Sequence, residues 1–127
     1  MRAELAALVP TDKLDTEKVQ AIIALGYPEV GPILPGLLEW MQDINWPVAQ
    51  ALRPFLASLG APLAPHIQHI LETGDEIWKY WVLAGIVAES ADLRAVLRQE
   101  LERLATHPSP GERAEKLDNL AREILDE

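Results

Sequence analysis

The chain has 127 residues, a formal net charge of −9, 49% hydrophobic residues and no cysteine. That length suits one domain with a sizeable core; the apolar content argues against disorder, and the missing thiols exclude disulfides, a thiol nucleophile and thiolate metal sites. The acidity opposes nucleic acid and anionic membranes as partners, since both need clustered Lys and Arg, and without a long apolar run or signal-like start the expectation is a soluble, cytoplasmic protein.

In chain order, Arg2 to Leu8 reads as a short amphipathic helix ended by Pro10. Asp15 caps a second helix that runs to Leu25 with Val19, Ile22, Ile23 and Leu25 inward, and Gly26 and Pro28 stop it. A third runs from Pro32 to Gln42, with Pro32 and Pro35 in its first turn, where a missing N–H does no harm. The fourth runs from Trp46-Pro47 to Leu59 with Pro54 inside it, and the fifth from Pro62 to Glu72, closed by Gly74. Asp75 caps the sixth, the most apolar stretch: Ile77, Trp81, Ala84 and Ala88 share one face, and Trp78, Val82 and Gly85 the next. A helix apolar on nearly all sides belongs at the centre, and Gly85 would let a neighbouring helix backbone come close. A seventh helix starts at Ser90 or Asp92, with a stripe of Leu93, Val96, Leu97, Leu101 and Leu104. Ser109-Pro110-Gly111-Glu112 is a capping box that opens the last helix, which buries Leu117, Leu120, Ala121, Ile124 and Leu125. No run alternates apolar and polar residues as a strand would. The expected fold is all-α with about eight helices.

Two segments echo each other. Pro32-Ile33-Leu34-Pro35-Gly36-Leu37 matches Pro62-Leu63-Ala64-Pro65-His66-Ile67, and Asp43-Ile44-Asn45-Trp46 matches Asp75-Glu76-Ile77-Trp78. Such self-similarity marks stacked helical hairpins. It divides one helical-repeat domain, 1–127, into N-terminal helices (1–26), a first hairpin (31–60), a second (62–89) and a polar C-terminal capping hairpin (91–127).

Asp43 to Leu52 looks like the second-helix pattern of HEAT-type repeats, although Ala49 stands where those repeats favour Arg. More closely, Gly26-Tyr27-Pro28-Glu29, Asp43-Ile44-Asn45-Trp46-Pro47-Val48-Ala49 and Asp75-Glu76-Ile77-Trp78-Lys79-Tyr80-Trp81 resemble a small bacterial family known only as a domain of unknown function. The resemblance implies a short right-handed, HEAT-like α-solenoid and supplies no activity.

Charge is unevenly placed. From Val19 to Glu89 the acids Glu29, Glu39, Asp43, Glu72, Asp75, Glu76 and Glu89 face only Arg53 and Lys79. In a hairpin array the turns lie along one edge, which would gather Glu39, Asp43, Glu72, Asp75 and Glu76 beside Trp46 and Trp78. That edge is the candidate site for a basic protein partner, with Lys or Arg stacking on Trp; on the competing reading, the aspartates cap helices and the tryptophans are core. His66, His69 and Glu72 recur every third residue and drift round their helix, so no metal or other cofactor is expected. Ser58, Ser90 and Ser109 stand in no nucleophile motif, and there is no phosphate-binding loop. The expectation is a noncatalytic protein-interaction module. Alternatives are an immunity-type protein that neutralises a basic toxin, a metal-dependent enzyme using His66 and His69, and a small-ligand binder with Tyr27, Trp40 and Trp81 in its pocket.

Overall fold

Four helix starts are set by short polar side chains. In the computed structural model, which describes residues 3–126, Asp15 accepts the Lys18 N–H, Asp75 that of Trp78, Ser90 that of Leu93 and Ser109 that of Glu112. Each takes up one N–H that the first helical turn leaves free. The α-helices are α1 (Ala3–Ala6), α2 (Thr16–Leu25), α3 (Leu34–Leu38), α4 (Pro47–Leu59), α5 (Ala64–Leu71), α6 (Glu76–Gly85), α7 (Ala91–Val96), α8 (Arg98–Thr106), α9 (Pro110–Ala114) and α10 (Leu117–Leu125). The described residues contain no strand, and the chain is all-α. Of the expected terminal helices, Arg2 and Glu127 lie outside the described residues.

Two breaks raise the expected eight helices to ten α-helices among the described residues. The seventh is divided at Leu97, where φ −95° and ψ 10° leave the helical region between α7 and α8. The last is divided at Lys116, which stands in the left-handed region at φ 60° and ψ 31° and separates α9 from α10. The two proline-rich entries, by contrast, share one local form. A 3₁₀ turn, Gly31–Ile33 or Ala61–Leu63, runs straight into α3 or α5, with Pro32 and Pro62 in the turns and Pro35 and Pro65 at the second helical position.

One apolar core extends from Leu5 to Ile124, and α6 sits within it against α5, α10 and the 3₁₀ turn Glu39–Gln42. Val82 and Leu83 are fully buried on it. Gly85 serves a purpose other than the expected one: the aliphatic stem of Arg53 from α4, not a helix backbone, fills the space, with a Cβ at Gly85 falling 2.9 Å from Arg53 Cδ.

Several apolar residues expected inside are at the surface. α2 has α4 as its main neighbour and buries only Val19 and Ile22, so Ile23 and Leu25 are exposed. A helix with one neighbour needs only a narrow stripe. Ile77 is exposed in the first turn of α6, two residues before the buried Lys79 and on a different side of the helix. Val96 lies beside the buried row Leu93, Leu97, Leu101 and Leu104 and is exposed at the end of α7.

Candidate functional site

The expected acidic edge resolves into three separate environments. The first is built by α3, α5 and α6. Trp78, three residues beyond its Asp75 cap, donates its indole N–H to the Leu38 carbonyl at 2.9 Å. That bond fixes a half-buried ring in the wall of a hollow of about 540 Å³, together with Pro35, Leu38, Glu39, His66, His69 and Ile70. The volume lies within the range of ligand pockets, roughly 300–1,000 Å³. The wall is mainly apolar, Glu39 is exposed beside it, and the two histidines come from successive turns of α5. Glu72 does not line it, and among the described residues no group of three His, Asp or Glu side chains could hold a metal ion.

Glu72 and Glu76 belong to the second environment, a groove shared with Gln68, Thr73, Lys79, Glu100 and Arg103. Its floor is a set of ion pairs that sequence reading missed. Lys79 of α6 and Glu112 of α9 are both buried, 3% and 2% exposed, and their charged atoms meet at 3.0 Å. Arg103 of α8 grips the same carboxylate through two nitrogens at 3.2 and 3.1 Å and also bonds Glu100 at 2.9 Å. Glu76 adds a weaker contact to Lys79 at 3.6 Å. Glu112 also closes the capping box by accepting the Ser109 N–H at 2.8 Å. Burial alone would raise the Glu112 carboxyl, but the hydrogen bonds from Arg103, the Ser109 N–H and Lys79 outweigh it and hold it at about 2, against an ordinary 4.5. The hydrogen bonds to Glu100 and Glu112 raise Arg103 further above its already high range. The side chains of this floor are committed to one another.

The third environment holds Asp43 and Trp46, and it corrects the idea that the two Asp-x-x-Trp turns are equivalent. Asp43 accepts the Asn45 N–H at 3.0 Å, a local turn four residues ahead of α4, so it is not that helix's cap. Trp46 itself stands at the cap position, whereas Trp78 is inside its helix. Trp46 packs edge-to-face on Trp40 at 5.3 Å. The N-terminal segment is fastened here: the Pro10 carbonyl accepts the Trp40 N–H at 3.1 Å, and the Lys13 carbonyl accepts the Val48 N–H at 3.0 Å. Of the small-ligand trio, Tyr27 is exposed, Trp40 belongs to this cluster, and Trp81 packs on Tyr80 and lines a different hollow.

No helix among the described residues is long and apolar enough to cross a membrane. No curated protein matches the chain. A family model described as "Domain of unknown function (DUF5071)" matches residues 8–125. With nearly the whole sequence covered, the chain belongs to this family of domains of unknown function.

Proposed function

We propose that the chain is a noncatalytic protein-interaction module whose hollow at Trp78 receives a Lys or Arg side chain from a basic partner protein. The observation that carries this reading is the held indole. The Trp78 N–H is tied to Leu38, so the ring needs no ordering on binding, and Glu39 stands exposed in the same wall. An aromatic surface beside a carboxylate suits a cation with an apolar stem, and a net charge of −9 steers basic partners toward the molecule. A basic toxin neutralised by an immunity-type protein is the specific version that this charge supports. Stacked HEAT-like hairpins are the scaffold we infer with it, supported by the shared 3₁₀-to-α entries at Gly31 and Ala61. A cytoplasmic setting fits a chain without cysteine.

The test is capture from the native cell lysate with three baits: wild type, Glu39→Lys, and Glu123→Lys as an exposed control of equal charge change on α10. A basic protein should be retained by the wild type and the control and lost by Glu39→Lys. Equal retention by Glu39→Lys removes the hollow as the site.

A further inference from the structure

Arg53 is the only Lys or Arg between Lys18 and Lys79, and Lys79 is spent on Glu112 and Glu76. Arg53 is half-buried and has no ion pair or hydrogen bond among the described residues. Its stem is seated over Gly85, where a Cβ would meet Cδ at 2.9 Å and Ile44 Cδ1 at 3.4 Å. Two hollows share this arginine. The smaller, about 190 Å³, is lined by Ile44, Gln50, Arg53, Trp81, Ala84 and Gly85. The Trp40 and Trp78 indoles donate to backbone carbonyls, whereas that of Trp81 has no acceptor among the described residues. Gln50 gives one bond to the Ile44 carbonyl at 2.7 Å, and its amide group carries two N–H. The hollow is therefore lined by side chains with donors to spare.

We propose that this hollow between α4 and α6 is a carboxylate-binding site, with the Arg53 guanidinium as the charged donor and Trp81 and Gln50 as its neutral companions. A carboxylate only accepts hydrogen bonds, and its two oxygens match the planar guanidinium fork. The larger hollow, which shares Arg53 and Gly85, is also lined by Glu89, too far from Arg53 to form an ion pair with it. That acid and the overall charge of −9 favour a single negative charge over a phosphate dianion. The carboxylate comes from a free small acid or from a polypeptide C-terminus.

Heteronuclear NMR decides the matter. Sodium acetate is titrated at ionic strength held constant with sodium chloride, while the Arg53 Nε–H and Trp81 Nε1–H signals are followed. Both should move along one saturating curve, and Arg53→Met, which keeps a stem over Gly85, should abolish the Trp81 movement at unchanged Tm. A short peptide with a free C-terminus is then compared with acetate and with the peptide's own C-terminal amide. Saturation at a concentration about tenfold lower than acetate, lost in the amide, identifies a chain end; saturation at the acetate concentration identifies a free acid. Unsaturating drift of the wild-type signals, or a Trp81 response that survives in Arg53→Met, overturns the proposal. If Arg53→Met fails to fold, the wild-type curve and Trp81→Phe decide it, since the Arg53 signal must still saturate without the indole.

Discussion

Glu112 shows how much one side chain can be asked to do. It closes a capping box, pairs with a buried lysine and receives both prongs of an arginine. Removing its charge leaves Lys79 buried with only the 3.6 Å contact to Glu76, and breaking a buried pair in this way costs about 3–5 kcal/mol. Glu112→Gln should therefore lower stability by that order in denaturant unfolding, whereas Arg98→Ala, from an exposed pair, should change it by less than about 1 kcal/mol. The same residue predicts a pH dependence. In the unfolded chain the carboxyl takes up its proton near 4.5, and in the folded one only near 2. Between those values the unfolded state binds more protons, so this contribution is complete above pH 4.5 and is lost as the pH falls toward 2. The wild-type unfolding midpoint should fall across that window, and Glu112→Gln should flatten the slope. An unchanged slope would mean that the carboxylate is not held as described. The capping box was legible in Ser109-Pro110-Gly111-Glu112; the partner 33 residues away was not, because no local spacing marks a tertiary ion pair.

At the scale of elements, local chemistry was the most readable layer. Asp15, Asp75, Ser90 and Ser109 cap as their positions indicate, since a cap depends on atoms three residues apart. The break between α9 and α10 was hidden, because Lys116 has neither the freedom of glycine nor the constraint of proline. Its left-handed backbone costs roughly 1–2 kcal/mol relative to the right-handed form. The side chain is exposed and makes no ion pair among the described residues. Lys116→Gly should thus stabilise the protein by about 0.5–1 kcal/mol after the added freedom of the unfolded chain is counted, seen as a raised Tm. A lowered Tm would show that the lysine side chain contributes packing. Burial was less readable than capping. Ile23, Leu25, Ile77 and Val96 have the spacing of core residues, but whether a neighbour covers them depends on where other helices lie. The candidate hollow shares this limit: the sequence marks Trp78 and Glu39 for a partner edge and His66 and His69 for a metal, and only the packing of α5 against α6 brings the four into one wall.

Across the whole molecule, repulsion among surplus acids opposes compaction. Raising salt from roughly 10 to 150 mM shortens the screening length from about 30 to about 8 Å. Tm should rise over that range, because surface self-repulsion is screened while the buried Lys79–Glu112 pair is sheltered. Capture of a basic partner should weaken over the same range. A Tm that falls with salt would place net stabilisation in the surface ion pairs.

The tie between Lys79 and Glu112 also constrains how the molecule opens. α6 and α9 cannot part without stranding a lysine and a carboxylate away from water, so partial opening is costly until the whole groove is hydrated. Deuterium should enter the backbone amides of the second half of α6 and of α8 at similar rates, as one cooperative unit. In Glu112→Gln that unit should divide, with α8 exchanging ahead of α6.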